Sequence, residues 1–248
     1  MKSAKIECLN CGEVVLGKYC SNCAQKSDTK RLDILHFIQH DIIHGTLHFD
    51  RGLPFTIKQI ILRPGVVASE YIQGKRVKYH NFFYLTLLLI GIILSIKSFY
   101  KQKFGIEPPI NSSEYDNGIK FAQSNLKVIF LFFIPLLVLC SKIIYRKQKL
   151  NISEHTVIAV INVIYFLFFA LISNALYLIA KFLNWNLSNQ LSSYFIYLGI
   201  LSFIRIYFLY FQDSFPSKMK ALYNAMGIAT LFISLLFSVV MGLIAVAQ

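Results

Sequence analysis

Hydrophobic residues in this chain gather into five blocks separated by polar stretches. FFYLTLLLIGIILSI (82–96) opens the series and, with its flanks, predicts a span over about 82–98. LKVIFLFFIPLLVLCSKIIY (126–145), TVIAVINVIYFLFFALISNALYLIA (156–180), LSSYFIYLGILSFIRIYFLYF (191–211) and ALYNAMGIATLFISLLFSVVMGLIAVA (221–247) follow. A helix rises about 1.5 Å per residue, so about 20 apolar residues cross a hydrocarbon core of roughly 30 Å. Each block therefore predicts a transmembrane helix. The links from the second block to the fifth are short, as antiparallel neighbours in a bundle require. The expected fold is an all-α integral membrane protein whose five transmembrane helices occupy residues 81–248.

The first 80 residues are mostly polar, and no signal-type hydrophobic core opens them. Residues 26–31, KSDTKR, read as a linker, with Thr29 or Asp33 placed to cap a following helix. At about 100° per residue, Ile34, Leu35, Ile38 and Ile42 fall on one side of that helix, and His36, His40, His44 and His48 trace a stripe on the other. Phe37 and Leu47 interrupt the stripe, and Gly45 weakens its last turn. Residues 26–80 are thus expected to form an amphipathic, juxtamembrane helical segment. Pro64-Gly65 predicts a helix end or turn within it. A basic cluster, Lys75, Arg76 and Lys78, stands immediately before the first span, where such residues can contact lipid phosphates or simply set topology. Tyr79, Phe82, Phe83 and Tyr84 read as interfacial anchors beside it.

Composition supports the membrane reading. Of 248 residues, 56% are hydrophobic and only 15% charged, which is too apolar for a soluble domain. The 25 Lys and Arg residues are strongly sided. Residues 1–80 and the loops holding Lys142, Arg146, Lys147, Lys149, Lys218 and Lys220 carry most of them, against Lys97, Lys101, Lys103, Lys120, Lys127 and Lys181 on the other side. The positive-inside rule then predicts a cytoplasmic N-terminus and an external C-terminus. The net charge of +13 reads as membrane orientation and affinity for anionic lipid, not as a nucleic-acid footprint.

ECLNCG and YCSNCA place Cys8, Cys11, Cys20 and Cys23 in a C-x2-C-x8-C-x2-C array. Each pair supplies two thiolates from one tight knuckle, and two knuckles complete a tetrahedral shell for one structural Zn²⁺, so residues 1–25 predict a zinc ribbon. Gly12 suits the positive φ such a turn can need. Two disulfides are the rival pairing, and they would require an oxidising compartment. Four cysteine ligands leave no open position for catalysis. Cys140, inside the second span, reads as a small packed hydrophobe.

The run from the cysteine pairs through His36, His40 and His44, Phe49-Asp50-Arg51-Gly52, Thr56, Leu62-Arg63-Pro64-Gly65, Tyr71-Ile72, Gly74-Lys75-Arg76 and Tyr79 resembles an uncharacterised bacterial family of zinc-ribbon membrane proteins. The resemblance covers roughly residues 5–90, is most specific in its RPG…YI.GKR…Y core, and implies a bacterial inner-membrane location but no activity. It departs at His80-Asn81-Phe82, where a proline would precede the phenylalanine. On architecture alone, an inner N-terminal region followed by five spans is similar to the Yip-type membrane proteins associated with trafficking.

Three function classes follow. A non-enzymatic scaffold would present the ribbon and basic face at the inner membrane surface, with anionic lipids and a protein as partners. A metal-dependent lipid enzyme would use the histidine ladder, a second metal site built from His36, His40, His44 and His48 with His80 or His155, and Asp33, Asp41 and Glu154 as further ligands. A small transporter would need a polar pathway around Arg205, which with Asn162 and Asn174 is one of the polar exceptions inside the spans. Arg205 also lies close enough to the inner end of its span to snorkel. Nucleotide-loop and serine-hydrolase fingerprints are absent from the sequence. The scaffold is the favoured expectation.

Overall fold

The computed structural model describes residues 6–29, 32, 52–105, 126–183 and 188–247. Two short strands, β1 (Ile6–Glu7) and β2 (Val14–Val15), pair antiparallel with Ile6 opposite Val15. Seven α-helices follow among the described residues. They are α1 (Gly52–Leu62), α2 (Pro64–Ile72), α3 (Phe82–Phe104), α4 (Leu126–Ile144), α5 (Ile152–Phe182), α6 (Ser188–Phe211) and α7 (Lys218–Ala247). The chain is mostly helical, and α3, α5 and α7 are each long and apolar enough to cross a membrane.

The predicted blocks reappear as helices, four with longer ends and the second, Leu126–Ile144, one residue short of its expected limit. The first runs six residues beyond its expected limit, because Tyr100 turns inward and its hydroxyl meets that of Tyr177 at 2.9 Å. The third begins four residues early, where Asn151 and Glu154 close a capping box: each side chain accepts from the other's backbone N–H. A one-turn 3-10 helix, Arg146–Gln148, joins α4 to α5, and another, Gln212–Ser214, follows α6.

Helix α5 is the centre of the bundle. It packs against α6, α3, α4 and α2, and Val157, Ile158, Ile161 and Ile164 on it are fully buried. Helix α7 closes the other side against α4 and α6. Four phenylalanines lock the joint: Phe133 of α4 meets Phe232 of α7 edge-on at 4.8 Å, and Phe203 of α6 and Phe166 of α5 fill the remaining positions. Asn162 and Asn174 donate to backbone carbonyls four residues back, Ile158 and Ala170, so part of each amide's polarity is satisfied within its own helix.

The α1–α2 pair lies on the bundle at the end where α5 begins. Pro64 starts α2 without a backbone donor, so the helical register breaks at Arg63 as the Pro-Gly pair predicts. Gly65 then allows unusually close approach: a Cβ there would lie 2.9 Å from the backbone carbonyl of Leu209 in α6. Thr56 is buried in α1, donating to the Gly52 carbonyl and accepting from the backbone N–H of His80 at 2.7 Å. One hydroxyl therefore ties α1 to the entry of α3. That entry uses Asn81 where the resemblance leads one to expect proline, and its side chain accepts from Phe83 N–H at 2.9 Å as an N-cap.

Tyr79 and Phe82 differ from the expectation of interfacial anchors. Both are buried, with Tyr71 and Phe82 rings 4.6 Å apart, because α2 folds back over the start of α3.

Candidate metal centre and its docking loop

The two cysteine knuckles are built alike. Cys8 N–H donates to Glu13 O and Cys8 O accepts from Gly12 N–H; Cys20 N–H donates to Gln25 O and Cys20 O accepts from Ala24 N–H. Each knuckle closes on a residue with positive φ, Gly12 at 76° and Ala24 at 59°. Gly12 thus has the backbone its position suggested, and Ala24 adopts the same shape with a Cβ that disfavours it.

Folding the knuckles over the β1–β2 hairpin brings the Sγ atoms of Cys8, Cys11, Cys20 and Cys23 within 4.8 Å of one another. Cys8 to Cys23 and Cys11 to Cys20 are each 3.5 Å, and all four thiols are free. A tetrahedral ion with metal–sulfur bonds of about 2.3 Å separates its sulfurs by roughly 3.8 Å, whereas a disulfide needs about 2.05 Å. The four sulfurs could therefore hold one metal ion. Backbone N–H groups of Cys23 and Asn22 point at Cys20 and lower its thiol to about 7, favouring thiolate. Burial instead raises Cys23 to about 11. A cation at the centre would favour thiolate at both. Cys140 is buried in α4, apart from this cluster.

This unit is seated on the turn that links α2 to α3. The buried Gln25 side chain accepts from Arg76 N–H at 3.3 Å and Val77 N–H at 3.5 Å, and Asn10 accepts from Lys78 N–H at 3.2 Å. Leu9 lies over Gly74, whose φ of 104° suits glycine. Farther on, Leu32 is buried in the bundle core, and its carbonyl accepts from the Asn151 amide that caps α5.

Glu70 organises the turn from beneath. Its carboxylate pairs with Lys75 at 3.2 Å and Lys78 at 2.7 Å, and it also accepts from the Tyr79 hydroxyl. Burial raises its pKa, but hydrogen bonds from Lys78, Tyr79 and Lys75 outweigh that and hold it at about 2. Burial and the same carboxylate push the Tyr79 phenol up. Lys78 also stands 5.5 Å from the Tyr79 ring centre and 5.9 Å from that of Phe55. Lys75 and Lys78, expected to face lipid phosphates, are thus engaged with Glu70 within the chain.

His36, His40, His44 and His48, with Asp33 and Asp41, lie outside the described residues. His80 contributes its backbone to the Thr56 contact, and buried His155 shares a 2.7 Å hydrogen bond between Nδ1 and Ser141 Oγ. Among the described residues, the four cysteines are the one grouping of three or more ligand-type side chains suited to a metal. Arg205 donates to the Tyr165 hydroxyl at 2.9 Å on the exposed side of α6, instead of extending to the helix end.

Residues 50–93 match the model of a family described as a protein of unknown function (DUF3667). That segment holds α1, α2, the turn and the first half of α3. Thr56, Pro64, Gly65, Glu70, Gly74 and Tyr79 all fall within it. No curated protein and no solved structure matches the chain.

Proposed function

We propose that this protein is a non-enzymatic membrane scaffold in which a zinc-bound cysteine ribbon is clamped to the juxtamembrane turn of a five-helix bundle. The observation that carries this reading is the contact of Leu9, Asn10 and Gln25, beside or within the knuckles, with residues 74–78. Four thiolates leave a bound zinc no open coordination position, so the ion would supply folding energy, not reactivity. The ribbon and turn together form one rigid surface at the end of the bundle, suited to a protein partner and to anionic lipid headgroups. Helices α4 and α6 complete the spans with α3, α5 and α7. The charge asymmetry favours a cytoplasmic N-terminus and external C-terminus in a bacterial inner membrane.

The enzyme reading gains no support from His155, whose Nδ1 is committed to Ser141, and the transporter reading gains none from Arg205, which is exposed and bonded to the Tyr165 hydroxyl. Replacing Cys8 and Cys11 with Ser tests the scaffold. The variant should lose its zinc and expose residues 74–78 to protease while the helices still insert. Full zinc content with unchanged protection overturns the proposal.

A further inference from the structure

Tyr194, Leu198, Leu201 and Arg205 are spaced four, three and four residues apart, so they line one stripe of α6. The first three are 62%, 45% and 58% exposed, and Arg205 is exposed as well. Among the described residues the company of Arg205 is neutral: the Tyr165 hydroxyl at 2.9 Å and the Tyr165 ring centre at 5.7 Å. No carboxylate pairs with it among the described residues.

Its depth can be read from both helices. Arg205 is six residues from the end of α6, about 9 Å, and helical side chains lean toward their own N-terminus, here away from that end. Tyr165 lies thirteen residues into α5, about 20 Å, and leans back toward the helix start. The two side chains meet roughly 10–15 Å into the bundle, near the middle of a hydrocarbon core of about 30 Å. A lipid phosphate does not normally reach that depth, and charged groups there pair with opposite charges. Nor does a second copy supply the counter-charge at this depth: within the five helices α3, α4, α5, α6 and α7 the one carboxylate is Glu154, buried in the first turn of α5, and the others between them, Glu107, Glu114, Asp116 and Asp213, lie in the connecting segments.

We propose that this stripe docks a transmembrane helix of another protein that carries a carboxylate at mid-depth, with Arg205 as its counter-ion and Leu198 and Leu201 as the packing surface. Tyr165 is a positioning residue that holds the guanidinium toward the partner. The proposal rests on reading α6 as a span.

The test uses the full chain in phosphatidylcholine nanodiscs with a fluorescent polyleucine transmembrane peptide bearing one central Asp, and the all-leucine peptide as control. The Asp peptide should associate at least tenfold more tightly than the control, and Arg205→Gln should abolish the difference. Arg205→Glu should transfer the preference to a peptide with a central Lys, a gain that misfolding cannot produce. Equal association of the two peptides, or a preference unaffected by Arg205→Gln, overturns the proposal. So does Arg205-dependent retention of phosphatidylglycerol without peptide preference, which assigns the site to lipid, or Arg205-dependent dimerisation without peptide. Failure of the chain to enter the nanodisc defeats the span reading along with the proposal, and is distinguishable from an inserted chain that lacks peptide preference.

Discussion

A Cβ at Gly74 would stand 2.7 Å from Leu9 Cδ1, so the cysteine unit and the α2–α3 turn meet where the turn carries no side chain. The same glycine has φ of 104°, which an L-residue adopts only with strain. Gly74→Ala therefore faces mainly backbone strain, on the order of 1–3 kcal/mol, because the half-exposed Leu9 side chain can swing aside. It should expose residues 74–78 to protease. Adding Leu9→Ala removes the neighbour but leaves the strain, so the double variant should recover little of the loss in a denaturation series.

Gly65 sets the distance between α2 and α6. Its substitution by Ala places a methyl 2.9 Å from backbone atoms of Leu209, which cannot rotate away as a side chain can. Gly65→Ala should cost about 1–3 kcal/mol and lower the thermal midpoint in detergent. Gly91→Ala, where nothing lies within 4 Å, is the control and should be neutral or slightly stabilising.

Glu70 makes the turn acid-sensitive. Its pKa is held near 2, against an ordinary value of 4.5, so its contribution is full above pH 4.5 and is lost as pH falls toward 2. After discounting for solvent screening of its lysine partners, that contribution is roughly 1–2 kcal/mol. Glu70→Gln should remove the pH dependence of turn protection in this window. An unchanged acid profile in the variant would show that Glu70 does not hold the turn.

The five long helices are legible because each follows an apolar run close to or above the length that crosses a bilayer core, and three of them are long and apolar enough to do so. Their ends were less so. Tyr100 extends α3 through a stretch, KSFYKQKF, that reads as polar loop until its partner Tyr177, 77 residues away, is known. The metal cluster was legible from spacing alone, and Gly12 announced one positive-φ turn. Ala24 did not announce the other, because nothing in an alanine signals that backbone. Glu70 is illegible in the sequence for a similar reason. Its three partners lie five, eight and nine residues on, and they converge only after Gly74 reverses the chain. The seats of Asn10 and Gln25 on the turn span more than fifty residues and follow no periodicity.

Topology is a separate check on the charge argument. Reporters fused at residue 1 and in the 146–150 loop should read cytoplasmic, and one at residue 248 external. An external N-terminus would invert the map and place the cysteines in a compartment that favours disulfides.

The histidine ladder calls for its own variant. Changing His36, His40 and His44 together to Gln keeps a polar, helix-compatible surface while removing the imidazoles. Metal content should not change. Loss of one or two ions would establish a second metal site and move the enzyme reading ahead of the scaffold.

The most direct measurement is the metal content of the purified wild-type chain, determined by mass spectrometry of the elements alongside a thiol assay under denaturing conditions. A four-cysteine zinc site predicts one zinc per chain and, after chelation, five titratable thiols, the four of the cluster together with Cys140. No zinc with four thiols lost to disulfides would contradict it.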